Sequence, residues 1–152
     1  MHQKNNHTSG YRVTISRQDE SYALAESRGH HITLNIKKGV GEAGFNAAET
    51  LLAALGACIL TNVNAIGGKM RLQIDDARIE FEAVRHDEPP ALIEIRYKLI
   101  LKSPEPPEKL AELHDLCVKW STVANTVING LTPQGELVLE PISQLPLEDG
   151  QV

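Results

Sequence analysis

The sequence predicts an α+β fold in which antiparallel sheets enclose one central buried helix. Segments in which every second residue is apolar predict strands, and they lie before and after a single long helix made almost entirely of apolar and small residues. Strands and helices are grouped along the chain and do not alternate regularly, which favours antiparallel pairing over a parallel sheet.

The 152 residues are the usual size of one domain, so we expect a single domain over 1–152, with flexible tails at 1–10 and 141–152. The formal net charge of −5 argues against a nucleic-acid partner. No apolar run reaches the roughly 18 residues of a membrane span, and the polar start lacks the apolar segment of a signal peptide. We therefore expect no membrane partner and a cytoplasmic location, where thiols stay reduced.

Three short strands are predicted first. Residues 11–17 alternate between apolar and polar side chains, residues 21–25 form a short partner strand, and residues 30–36 alternate again. A loop with three glycines, residues 37–45, leads to the central helix.

The central helix has clear signals at both ends. Asn46 is a plausible N-cap, and Glu49 stands three residues later, as in a capping box. Gly67 and Gly68 predict the C-terminal end of the helix. Because small or apolar residues occupy nearly every face, we expect the helix to be buried all round.

Two long alternating segments and a second helical region complete the chain. Residues 71–85 form a predicted strand with a bulge near Asp75-Asp76, a turn follows at 87–90, and residues 93–101 form the next strand. Helical spacing then runs over 110–128 with a possible division at Ser121-Thr122, and residues 136–139 are a last short strand.

Cys58, on the central helix, is the first candidate for chemistry. A buried cysteine is often an inert core residue, whereas a reactive thiol needs a cation or a helix N-terminus to lower its pKa. Cys58 lies about three turns into its own helix, so that helix's N-terminus is too distant to help. Arg12, Arg17 and Arg28 are the candidate cations, although each could simply lie on a solvated strand face.

Glu49 and Cys117 are the other candidates. Glu49 is nine residues before Cys58, about 13 Å along the helix, so it acts at the thiol across an interface or serves only as a cap. Cys117 lies on an apolar helix face beside Leu113 and Trp120, where core packing is the simpler interpretation. No His, Cys or carboxylate spacing predicts a metal site, and no glycine pattern predicts a nucleotide cofactor, so we expect neither.

Residues 46–58, Asn-Ala-Ala-Glu-Thr-Leu-Leu-Ala-Ala-Leu-Gly-Ala-Cys, resemble the helix pattern NPxELLLAALGAC of the OsmC/Ohr family of thiol-dependent hydroperoxide reductases. Residues 121–126 are similar to the family's CPVxxTL segment. The position of Glu49 matches the OsmC-like branch, because the hydroperoxide-reductase branch has its glutamate where this chain has Ala48.

The resemblance implies an intertwined homodimer with active sites at the interface. It implies that Cys58 attacks an organic hydroperoxide, that an Arg and a Glu (Arg28 and Glu49 here) support the thiolate, and that a second cysteine and a dithiol reductant restore the enzyme. The chain departs from the family at the resolving position, where Ser121 stands, and Cys117 lies four residues earlier.

Two functions therefore stay open at this point. The first is a peroxidase in which Cys58 reduces organic hydroperoxides and either Cys117 or an external thiol resolves the oxidised cysteine. The second is a catalytically inactive or divergent OsmC-like protein that binds a small apolar ligand in the dimer cleft.

Overall fold

The computed structural model describes residues 9–39 and 44–139, so most of the expected tails at 1–10 and 141–152 lies outside the described residues. Eight elements occur along the described chain: β1 (Thr14–Arg17), β2 (Tyr22–Ser27), β3 (His30–Asn35), α1 (Ala47–Lys69), β4 (Asp76–Asp87), β5 (Pro90–Lys102), α2 (Pro107–Lys119) and α3 (Thr122–Asn129).

The strands form two antiparallel sheets, which confirms the α+β class. One sheet has the order β1-β2-β3, and the other is the long hairpin β4-β5. In the hairpin, Phe81 faces Tyr97 and Ile79 faces Leu99, so that one side of the sheet is apolar. On the other side Glu80 pairs with Lys98 and Glu82 with Arg96, which keeps that side charged.

The capping box of α1 is formed as predicted. Asn46 Oδ1 accepts the Glu49 N–H and Glu49 Oε2 accepts the Asn46 N–H, each at 2.9 Å. The predicted end at Gly67-Gly68 is wrong, because the helix continues through Lys69. Arg71 takes the left-handed conformation (φ 58°) that was expected of a glycine. The N–H groups of Arg71 and Leu72 then hydrogen-bond the carbonyls of Gly68 and Gly67.

The core lies between α1, α2, α3 and the apolar side of the β4-β5 hairpin. Its fully or nearly fully buried residues are Leu55, Ile59, Val63, Leu113, Cys117 and Ala124. The absence of a side chain at Gly56 lets α1 approach the sheet closely, because a Cβ there would lie only 3.0 Å from Phe81 and 3.1 Å from Ile79.

The prediction that α1 is buried all round is wrong for the single chain. Only one side of the helix, marked by residues such as Leu55, Ile59 and Val63, is buried, and Leu51 on another side is 41 % exposed. An isolated chain has too few elements to cover a helix that is apolar on every face.

Within the described residues, α1 is also long and apolar enough to cross a membrane, judged by length and composition alone. This corrects the expectation that no segment reaches that size. The core helix of a soluble protein passes the same test, and one side of α1 packs in the core of this chain.

Two predictions for the second half of the chain are also wrong. β4 begins only at Asp76, and its register shift falls at Val84/Arg85 and not near Asp75-Asp76, because residues 71–75 form a connection whose Leu72 and Ile74 pack on the core. The strand expected at 136–139 is absent from the described structure, since Leu137 is 84 % exposed and no neighbouring strand pairs with this segment. The division of the last helical region at Ser121-Thr122 is confirmed.

Two glycines of α1 provide a matched test of this packing. Gly68→Ala should stabilise the protein by about 0.5–1 kcal/mol, because alanine favours the helix and a Cβ there meets open space. Gly56→Ala gains the same helix propensity but presses on Phe81 and Ile79, an overpacking cost of about 1–3 kcal/mol. Urea unfolding at one protein concentration should therefore rank Gly68→Ala as the more stable variant, and the reverse ranking would contradict this packing.

Candidate active site

The site is formed where α2 ends and α3 begins, against the middle of α1. Ser121, fully buried, is the N-cap of α3, and its Oγ accepts the Ala124 N–H at 3.1 Å. The first N–H groups of a helix have no partner inside that helix, so the backbone of Thr122 and Val123 offers free donors at this point. Cys58 lies against this end of α3.

These donors lower the pKa of the Cys58 thiol. Burial raises the pKa of Cys58, but hydrogen bonds from the Ser121 hydroxyl and from the backbone N–H groups of Val123 and Thr122 together lower the pKa below its ordinary value. Each donor stabilises the thiolate more than the thiol, as does the positive end of the helix dipole. The half-buried sulfur is thus held near a helix N-terminus, a setting typical of reactive cysteines.

The sequence predicted an arginine as the group that lowers the Cys58 pKa and did not predict these backbone donors. It correctly excluded the N-terminus of α1, but the helix terminus at Cys58 belongs to α3, which begins far later in the chain, at Thr122. Part of the signal was present in the sequence, since a serine that divides two helical segments is a typical N-cap. Nothing in the sequence indicates which thiol that cap faces.

Asn62, one turn after Cys58 on α1, is a second residue whose role the sequence did not reveal. Its Nδ2 donates to the Cys117 carbonyl at 2.9 Å, so α1 holds the end of α2 directly. On the other side, Asn125 of α3 donates to the Lys119 carbonyl at 3.0 Å. These amides fix how the three helices meet and therefore where Ser121 lies.

Cys117 has very different surroundings from Cys58. Its side chain is fully buried, and burial raises its pKa to about 11. Burial, together with the negative charges of Asp115 and Cys117, raises the pKa of Tyr97, whose hydroxyl lies 2.6 Å from His114 Nε2. The two cysteines are free and not joined to each other.

Glu49 and Arg28 are both exposed, and neither is among the groups that shift the Cys58 pKa. The Glu49 carboxylate is engaged in the capping box, at the N-terminal end of α1 and away from Cys58. Arg28 occupies the tight turn between β2 and β3 with φ 53°, followed by Gly29 with φ 78°. The structure of one chain thus brings Cys58 and Ser121 together but does not add Glu49 or Arg28 to them.

Among residues 9–39 and 44–139, no group of three His, Cys, Asp or Glu side chains is arranged to hold a metal ion.

The two thiols should differ sharply in reactivity towards iodoacetamide. At neutral pH, peptide mass mapping should find Cys58 modified and Cys117 unmodified, because the thiolate is the nucleophile and Cys117 is both buried and protonated. In denaturant the two should react at similar rates, which controls for intrinsic differences between the peptides. Preferential modification of Cys117 in the folded protein would contradict the site described above.

Comparisons with known proteins agree with this architecture. The chain is 27 % identical over 121 residues to a hydroperoxide reductase of Mycoplasma genitalium, an alignment that covers 77 % of this chain and 86 % of the relative. It superposes on the crystal structure of an OsmC-like protein from Mycoplasma pneumoniae with a TM-score of 0.71 at 24 % identity, covering 79 % of this chain and 88 % of the other.

The organic hydroperoxide resistance protein OhrB of Bacillus subtilis has the same fold, with a TM-score of 0.57 at 15 % identity over 78 % of this chain and 90 % of the other. The family model for OsmC-like proteins matches residues 39–134, which include α1, the β4-β5 hairpin, α2 and α3. With more than half of its length matched, the chain belongs to the OsmC-like (OsmC/Ohr) family.

Proposed function

We propose that this protein is a thiol-dependent peroxidase that reduces organic hydroperoxides with Cys58 as the nucleophile. The observation that carries the proposal is the lowered pKa of Cys58, which hydrogen bonding by Ser121 and by the first N–H groups of α3 causes. Membership of the OsmC-like family and similarity to a protein named hydroperoxide reductase support the same class of reaction.

The chemistry follows from the donors around the sulfur. The Cys58 thiolate attacks one peroxide oxygen, the O–O bond breaks, and the leaving alkoxide takes a proton to become an alcohol. Cys58 becomes a sulfenic acid, the first step of thiol oxidation. The Ser121 hydroxyl and the N–H groups of Thr122 and Val123 stabilise the negative charge that makes the sulfur nucleophilic.

The uncovered side of α1 supports a homodimer in this proposal. Leu51 and the neighbouring Phe45 are exposed in one chain, and a second copy would bury such apolar side chains. Arg28 and Glu49 would then support the thiolate only from across that interface. A reducing compartment such as the cytoplasm, and a dithiol reductant, fit a cycle that must return Cys58 to its thiol form.

The same exposed apolar surface favours the second candidate, a protein that binds a small apolar ligand without turnover. In that case Cys58 would line a binding cleft and its oxidation would be incidental. The two functions make different predictions for replacing the Cys58 thiol by a hydroxyl. A peroxidase would lose peroxide consumption, whereas a ligand-binding protein would keep its affinity for the ligand.

One equivalent of cumene hydroperoxide should add a single oxygen atom to the peptide containing Cys58, as measured by mass spectrometry with trapping of sulfenic acid. Cys58→Ser should abolish peroxide consumption, because a serine hydroxyl is not ionised at neutral pH. Cys117→Ala is the matched control and should still acquire the oxygen on Cys58. An unmodified Cys58, together with an apolar ligand that binds Cys58→Ser normally, would favour the ligand-binding function.

A further inference from the structure

We infer that the oxidised Cys58 is resolved by a thiol from outside the chain, through a mixed disulfide on Cys58, and that Cys117 takes no part. This inference rests on the proposed function and specifies the second substrate of the same site. Its physical basis is that the described site contains a nucleophile and its supporting donors but no second sulfur that is able to react.

Cys117 is poorly suited to attack a sulfenic acid. Its side chain is fully buried in the cluster with Leu113 and Val63, so its sulfur cannot move towards Cys58 without opening the core. The reacting species would be the thiolate, and a pKa of about 11 leaves about one molecule in 10⁴ ionised at neutral pH.

The break between α2 and α3 does not free Cys117. α2 continues to Lys119, two residues beyond Cys117, and the Cys117 carbonyl is held by Asn62 of α1. Local unwinding would have to break this hydrogen bond as well as the packing of the side chain. The structure therefore opposes the shift that would let Cys117 replace a resolving cysteine.

Ser121 occupies the position from which a neighbouring sulfur could have acted. It is fully buried, its Oγ accepts the Ala124 N–H, and its side chain is one of the hydrogen-bonding groups that lower the pKa of Cys58. A hydroxyl oxygen cannot form a disulfide, so Ser121 is a positioning residue that stabilises the thiolate. Position 121 thus still supports the Cys58 thiolate, but the thiol that resolves oxidised Cys58 must come from another molecule.

Cys58 is only half-buried in the single chain, and in this inference a small thiol reaches its sulfur. An external thiol R–SH condenses with the Cys58 sulfenic acid, forming an S–S bond and releasing water. A second R–SH, as its thiolate, attacks the sulfur of the bound R group. The disulfide bond between Cys58 and R breaks, Cys58 leaves as a thiolate, and R–S–S–R is the oxidised product. A low-pKa leaving thiolate favours this last step, as the donors of α3 provide.

The test uses the full chain, oxidised with one equivalent of cumene hydroperoxide and then mixed with glutathione as the probe monothiol. Intact mass and peptide mapping should find one glutathionyl group on Cys58, and excess glutathione should then release it and restore the thiol. Cys117→Ala should behave in the same way. A Cys58–Cys117 disulfide, detected as the loss of two hydrogens, would overturn the inference and leave the peroxidase proposal standing, whereas a Cys58 that never acquires oxygen would overturn both.

A second variant tests the inference independently of whether Cys117→Ala folds. Ser121→Cys places a sulfur at the position that contacts Cys58, so peroxide should now yield a disulfide between Cys58 and the introduced sulfur, and the glutathionyl group should be largely lost. Ser121→Ala has neither hydroxyl nor sulfur and should still form the mixed disulfide, but with slower initial oxidation of Cys58. If Ser121→Cys forms no internal disulfide and still acquires the glutathionyl group on Cys58, the claim that Ser121 stands at the missing resolving position is overturned.

Discussion

The structure depends on how the C-terminal end of α2 is held, because that end decides where α3 begins. All four of its last carbonyls are hydrogen-bonded: Leu116 to the Trp120 N–H, Val118 to the Ser121 N–H, Cys117 to Asn62 and Lys119 to Asn125. A helix end inside the core needs such partners. Two of these partners, Asn62 and Asn125, belong to α1 and α3. The hydrogen bonds that pair the last carbonyls of α2 therefore also fix the three helices relative to one another, and this arrangement places the start of α3 near Cys58.

Local signals made much of the fold predictable from the sequence. The capping box at Asn46 and Glu49 and the division at Ser121 involve residues close together in the chain, and both are formed. The hairpin β4-β5 is formed as well, although β4 begins at Asp76 and not at residue 71. The failures concern a missing strand partner and the exact end of α1. Residues 136–139 have the alternation of a strand but no strand beside them, and Arg71, not a glycine, takes the left-handed position after α1.

The candidate site, too, could be predicted from the sequence only in part. Cys58 could be chosen from its helix pattern, yet its electrostatic partner is a helix terminus that only tertiary packing brings near. The resemblance to the family pattern implied that Ser121 stands where the family has its resolving cysteine. It did not indicate that the Ser121 side chain would help to lower the pKa of Cys58. The two cysteines looked equivalent as members of apolar helix faces, and only their surroundings in the fold separate a lowered pKa at Cys58 from a raised one at Cys117. A single sequence does not show which groups surround each cysteine, so it cannot predict this difference in pKa.

The central claim is that the start of α3 lowers the pKa of the Cys58 thiol. The most direct measurement is the pKa of each cysteine by NMR, following the Cβ resonance of isotope-labelled cysteine as the pH is raised. Cys58 should ionise at a lower pH than an unstructured cysteine, Cys117 only near pH 11, and Ser121→Ala should move the Cys58 midpoint upwards while Cys117 is unchanged. A Cys58 that ionises at or above the ordinary cysteine pKa, or that does not respond to Ser121→Ala, would contradict the account.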